Sequence, residues 1–172
     1  PQAAQIIKQD PTQSYRVLNL AANVFNDAST SYYHQSIGGY HGAKLKRYKE
    51  LIDYSLTPEL SALKMGMQKG DSSFLRVLSS QPALNMLNTK YIIDQQEQVI
   101  PRPEAFGNAW LVNNIKVVNS PDEEIASIQQ IDPLQTAAVL DAEFPGYIAA
   151  GTSYTKSGNI DLVKYSPNAL QY

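Results

Sequence analysis

His34 and His41 are the only histidines in the sequence and lie seven residues apart, a spacing that on one helix sets both on the same face. With Asp27 as a third ligand they would suit a catalytic zinc, since three protein ligands leave one position open for water. Gly38-Gly39 stands between them, and adjacent glycines cost a helix about 1 kcal/mol each relative to alanine. No metal-ligand spacing signature accompanies them. The competing reading is that both histidines satisfy loop carbonyls, and the sequence is read as holding no metal.

The run Gly38-Gly39-Tyr40-His41-Gly42, with Lys44 on the helix that follows, has the look of a phosphate-binding turn, because free amides at a helix start bind anions. It lacks the spacing and Lys-Ser or Lys-Thr ending of a P-loop, and it is not a GxGxxG fingerprint. The glycines then mean close approach of the backbone to a ligand or, more simply, to another segment. Tyr32, Tyr33, Tyr40, Tyr48, Tyr54 and Trp110 could form an aromatic surface, with Asn26, Asp27, Asn85 and Asn88 as hydrogen-bonding groups. Rings with an apolar face and a polar tip fit a carbohydrate, although the same tyrosines would also serve at a core edge. Lys44, Lys46, Arg47 and Lys49 would face an anionic headgroup or form the solvated side of a helix. No serine occupies a GxSxG elbow and no acid pair has the spacing of a glycosidase, so no catalytic residue is assigned.

Those residues sit in 172 residues, enough for one sizeable core. A formal charge of −2 gives no general attraction to polyanions, and no nucleic-acid partner is expected. Cysteine is absent, which removes disulfides and thiolate chemistry together. No apolar run approaches the roughly 18 residues of a membrane helix, so the stretch itself reads as water-facing.

The elements that must position the candidate residues follow from periodicity. Gln2 to Gln9 predicts a short helix stopped before Asp10-Pro11. Tyr15 to Ala22 predicts a buried strand, and Asp27 or Ser29 caps a short helical turn through Tyr33. A helix begins near Ala43, a second is expected from Thr57 with Pro58 at its first position, a third from Asp71 or Ser72, and another turn from Pro82. Lys90 to Ile93 and Gln98 to Pro101 predict strands about a polar turn, and Ala109 to Val118 a longer strand with an irregularity at Asn113-Asn114. Ser120-Pro121-Asp122-Glu123 is a capping box before a helix, and Thr136 to Leu140 a further strand. Pro145, Gly146, Gly151, Ser153, Ser157 and Gly158 mark a joint, after which two strands flank a Ser166-Pro167-Asn168 turn. The expected class is α+β: a central mixed sheet with helices packed on it and a helical middle third. Residues 1–150 are expected to form one mixed α/β domain, and 151–172 the joint and start of a further β-rich segment. A start at Pro1 and a strand-rich end are those expected of an excised fragment; a hairpin closing an internal sheet is the alternative.

The run RVLNLAANVFNDASTSYYHQSIGGYHGAKLKRYKELID, with LNMLNTKYII, NAWLV and IDLVKYSPNALQY, resembles the extracytoplasmic portion of YfhO-type bacterial multi-pass membrane proteins, in the versions seen in Bacteroidetes. The likeness covers most of the chain. That family is similar to the glycosyltransferase C superfamily, whose members use polyprenyl-phosphate-linked sugars as donors, and some relatives are implicated in decorating cell-wall polymers or other surface glycans. The resemblance implies a membrane-embedded region of the same polypeptide as partner, a place on the periplasmic face of the cytoplasmic membrane, and a catalytic carboxylate in a loop outside these residues. It implies a glycan or polyprenyl-phosphate sugar as the bound molecule, with Asn26, Asp27, Tyr33, Ser36, Gly39, Tyr40, His41 and Lys44 as a wall of the substrate cleft. No cofactor is implied. Two functions follow: an accessory domain that binds or positions substrate for a membrane glycosyltransferase, or a noncatalytic structural or carbohydrate-binding module of the cell envelope.

Overall fold

A computed structural model describes residues 2–12, 14–146, 153–166 and 168–172. They divide into two compact units that alternate along the chain, one made of Pro1–Lys44, Leu84–Asn108 and Leu162–Tyr172, the other of Leu45–Ala83 and Ala109–Asp161. The class is α+β, as the sequence predicts. No helix among the described residues is long and apolar enough to cross a membrane.

The first unit is built on a three-stranded mixed sheet. Strand β1 (Arg16–Asn19) pairs in parallel with β2 (Thr89–Ile93), and β2 pairs antiparallel with β3 (Val99–Pro101). The apolar run around Val17 and Leu18 is fully buried, which is why this strand is continuous in hydrophobicity instead of alternating. Helix α1 (Gln2–Ile7) contributes Ala3 and Ile7 to a cluster with Val17 and Ile93. The β2–β3 turn is held by Asp94, whose Oδ1 accepts from the amides of Gln96 and Gln98 at 2.8 Å each. Along the outer side of β1, Val17 donates to the Gln35 carbonyl (2.8 Å) and accepts from the Ile37 amide (3.3 Å), tying the 35–37 segment to the sheet.

The second unit opens with α2 (Lys46–Leu51), passes through a π-helical turn (Ile52–Leu56) and continues as α3 (Thr57–Lys69). Here the helix start expected at Thr57 is not a start. Pro58 lacks an amide and its ring collides with the carbonyl four residues back in a regular helix. The π turn opens the ladder ahead of it, with the Thr57 amide reaching five residues back to Ile52, so proline sits inside one continuous helix. Helix α4 (Asp71–Ser79) packs on α3 where Gly66 lies close to Phe74; an added Cβ at Gly66 would come 3.2 Å from the Phe74 Cα. The short α5 (Pro82–Met86) leads back towards the first sheet.

Strand β4 (Asn114–Val118), helix α6 (Pro121–Ser127) and parallel strand β5 (Thr136–Leu140) complete this unit as a β-α-β passage. The capping box is present: Ser120 Oγ accepts from the Glu123 amide (3.2 Å), while the Glu123 carboxylate accepts from Asn119 (2.9 Å). The strand expected from Ala109 begins only at Asn114, because the Asn113 and Asn114 amides both turn onto the Gln135 carbonyl. Antiparallel strands β6 (Lys164–Ser166) and β7 (Ala169–Gln171) form the terminal hairpin of the first unit. Pro167 of its expected turn, and Gly151 of the expected joint, lie outside the described residues.

Candidate functional site

The eight residues expected to wall the substrate cleft all belong to one excursion of the first unit, from the end of β1 to Lys44. Its path is set by small polar groups bonding to nearby backbone. Asp27 Oδ1 accepts from the Ser29 amide at 2.7 Å and from the Ser29 hydroxyl. These bonds, led by the hydroxyl, hold its carboxyl below the ordinary carboxylate range. A 3-10 turn follows (Ser29–Tyr32), with Thr30 buried beneath it and bonded at 3.0 Å to the Asn19 side-chain amide. The Tyr33 and His34 amides both fold back on the Thr30 carbonyl. Ser36 Oγ then accepts from the Gly38 amide (3.0 Å).

The two ends of the excursion meet at the double glycine. The Gly39 amide donates to the Val24 carbonyl at 2.8 Å, and a Cβ on Gly38 would lie 1.7 Å from that same oxygen. Gly38 is therefore required by a close backbone approach, and Gly39, at φ +130°, by its conformation. Lys44 adds a second tie, its ammonium donating to the carbonyls of Phe25 (3.2 Å) and His41 (3.4 Å). His41 Nδ1 accepts from the Ala43 amide. Asn26 takes part through its backbone, donating to the Asn23 carbonyl. Among the eight candidates, then, Asp27, Ser36, Gly39, His41 and Lys44 act on the loop itself, while Tyr33 and Tyr40 are left facing solvent, 51% and 70% exposed, alongside Tyr32.

Beside this loop is a cavity of about 180 Å³. Helix α1 supplies Ala3 and Ala4, the end of β1 Asn19 with Ala21 just after it, the 3-10 turn and its exit Ser29, Thr30, Tyr33 and His34, the end of β2 Ile93, and the β2–β3 turn Glu97. Burial first, and then the charge of Lys8, depress the His34 pKa below its usual value, so the ring is neutral at pH 7. Of the candidates only Tyr33 lines this space. Asn19, Thr30 and Glu97 were not legible as site residues, because their convergence depends on β1 and β2 being parallel neighbours across some seventy residues of sequence.

The other polar groups are engaged elsewhere. Lys46 pairs with Glu50, Lys49 with Asp53 at 2.7 Å, and Arg47 with Glu124 and Glu143, so the basic run faces its own acids and not an open anion site. Asn85 and Asn88 are buried: Asn85 Oδ1 accepts from Arg102 at 2.6 Å, and Asn88 Nδ2 donates to the Ser14 carbonyl. Tyr48, Tyr54 and Trp110 belong to the second unit, where the Trp110 indole donates to the Pro133 carbonyl at 2.7 Å. Asp10 accepts from Lys90 (2.5 Å), Tyr91 (2.7 Å) and Thr12 (2.8 Å). Burial there works to raise its pKa, but these bonds together carry it far below the ordinary range.

No group of three His, Asp or Glu side chains is arranged to hold a metal among the described residues, and His34, His41 and Asp27 do not form one. Comparison with protein-family models, curated proteins and solved structures gives no match. The site is a small recess lined by uncharged polar and apolar groups and one carboxylate, with exposed phenol rings on a loop held by its own bonds.

Proposed function

We propose that this chain is a noncatalytic recognition domain on the extracytoplasmic face of a multi-pass membrane protein of the YfhO type, where it binds or positions a glycan or lipid-linked sugar. One observation carries the proposal: Asp27, Ser36 and Lys44 of the 24–44 loop are bonded to its own backbone, leaving Tyr32, Tyr33 and Tyr40 as its exposed aromatic rings, with Tyr33 lining a cavity. Aromatic rings on a rigid support suit the alternating C–H faces and hydroxyl edges of a sugar. A glycan array read with the 172-residue chain tests it. Binding to a defined subset of glycans, weakened by Tyr33→Ala and Tyr40→Ala, is the expected outcome, whereas an array without any bound glycan removes the recognition role. In the parent protein, replacement of Asp27, Tyr40 and His41 with no change in glycan transfer would show that this wall takes no part in positioning substrate.

The terminal hairpin favours a structural alternative, docking without glycan contact. Val163, Tyr165, Leu170 and Tyr172 all retain substantial exposure there, and exposed apolar groups on a short sheet invite a covering partner.

A further inference from the structure

On the glycan-recognition reading, we propose that the cavity at the carboxyl ends of β1 and β2 seats a single uncharged, hydroxyl-rich ring of hexose size. Its position, outside the carboxyl ends of a parallel pair, is the one ligands take in open α/β sheets. Asn19 and Ile93, paired in register at the ends of β1 and β2, both line it. The volume of about 180 Å³ equals roughly six waters at about 30 Å³ each. That is the order of one pyranose with its hydroxyls. Pockets for drug-sized ligands start near 300 Å³, so a nucleotide or a disaccharide is too large to enter whole.

Charge narrows the class further. Asn19, Ser29 and Thr30 are neutral and bond to the protein itself, and His34 is held uncharged. Glu97 brings the one formal charge in the lining, and Lys8 acts on His34 from nearby with the opposite sign. An anionic guest would meet Glu97 and a cationic one would meet Lys8; a neutral guest meets neither penalty. Two groups are available for it, since neither the His34 ring nor the Glu97 carboxylate has a hydrogen-bond partner among the described residues. Both can accept from ligand hydroxyls, and the imidazole N–H can donate back. The methyl groups of Ala3, Ala4 and Ala21 and the Ile93 side chain add apolar lining for the C–H face of a ring, beside the half-exposed Tyr33.

Amide chemical shifts of the 172-residue chain, titrated with methyl β-D-glucopyranoside, methyl α-D-mannopyranoside and methyl N-acetylglucosaminide and compared with acetate and methylammonium, test the assignment. Shifts saturating at residues 19–34 and 93–97 with at least one of the neutral glycosides, and with neither ion, are expected. Ala21→Trp fills the recess from an exposed position and should weaken that glycoside by about tenfold or more. His34→Phe keeps a ring but removes both nitrogens, and should weaken it as well without moving the thermal midpoint. Saturation by acetate or methylammonium instead, or unchanged glycoside affinity in both variants, overturns the proposal. Array binding of longer glycans that survives Ala21→Trp would refute the cavity while leaving glycan recognition standing; no binding of any glycan, short or long, removes both.

Discussion

Gly38→Ala should be among the most damaging single-atom additions in the first unit. The new Cβ would stand 1.7 Å from the Val24 carbonyl oxygen, 2.7 Å from its carbon and 2.9 Å from the Val24 Cγ1. Two of those three atoms are backbone and cannot rotate aside, so the two arms of the loop must separate by well over an ångström. That breaks the 2.8 Å bond from Gly39 to the same carbonyl. Losing the bond costs about 1 kcal/mol and the overpacking about 1–3 kcal/mol more, a total of about 2–4 kcal/mol. For a chain of this length the shift in thermal midpoint is about 4–16 °C. Two neighbours serve as controls. Gly39→Ala has room, its nearest contact being Ser31 Oγ at 3.7 Å, but must hold φ +130°, at a cost of about 1–3 kcal/mol. Gly42→Ala meets nothing within 4 Å at an ordinary φ, and should stabilise by about 0.4–1 kcal/mol through the unfolded chain. Because the chain has two units, the measurement is amide exchange at Leu18 and Ile92, buried in the sheet that carries the loop, together with the global melt. A Gly38→Ala protein as stable as Gly42→Ala would show that the loop does not close on Val24, and the locked support for the tyrosines would go with it.

Asp10→Asn should destabilise by about 1.5–3 kcal/mol at pH 7, the range for hydrogen bonds to a charged group. Since the folded carboxyl is depressed, its contribution is present above the unfolded value near pH 4 and lost as pH falls towards the folded one, so urea melts of wild type and variant should converge below about pH 4; a gap constant with pH would contradict this. Tyr91, pushed up to about 12 by burial and then by its bond to Asp10, should be among the last of the eleven tyrosines to ionise in an ultraviolet titration, and that late step should vanish in Tyr91→Phe. Its raised value means stability present below about pH 10 and lost as pH rises through about 12. Lys44→Met should free the Phe25 and His41 carbonyls, cost about 0.5–1.5 kcal/mol, and speed amide exchange in residues 24–44 while leaving exchange in α3 unchanged.

Local signals carried much of the fold. Ser120 with Glu123, the polar Asp94 turn, Pro82 as a helix start and the uninterrupted apolar run at Val17 each act within a few residues, and each is where the pattern puts it. Thr57-Pro58 misled for a definite reason: a threonine followed by proline is the usual sign of a helix start, and only a π turn just before it allows the helix to run through. The run from Ala109 likewise carries a strand-like pattern, but the strand starts only at Asn114, where the Asn113 and Asn114 amides share the Gln135 carbonyl. For the site, the loop was legible and its roles were not. Residue types named Asp27, Gly39, His41 and Lys44, but whether such groups face a ligand or a neighbouring carbonyl is settled by geometry between Val24 and Gly39 that no spacing rule encodes.

That distinction gives a way to separate structure from recognition across the whole chain. A polar side chain bonded to backbone or to an opposite charge has its interaction free energy bound up in the fold, so removing it changes stability first and any binding only as a consequence. Asp27, Lys44, Asp10, Arg102, Arg47 and Lys49 are of this kind. His34, Glu97 and the Tyr33 ring are placed at a recess and make no such bond among the described residues, so their removal should alter binding at nearly constant stability. Asp27 and Lys44 of the first set lie in the same loop as Tyr33 and His34 of the second, six to eleven residues away. If His34→Phe and Glu97→Gln lowered the melting point as much as Lys44→Met did, the groups assigned to a ligand would belong to the fold instead, and the recess would be a packing gap with no guest.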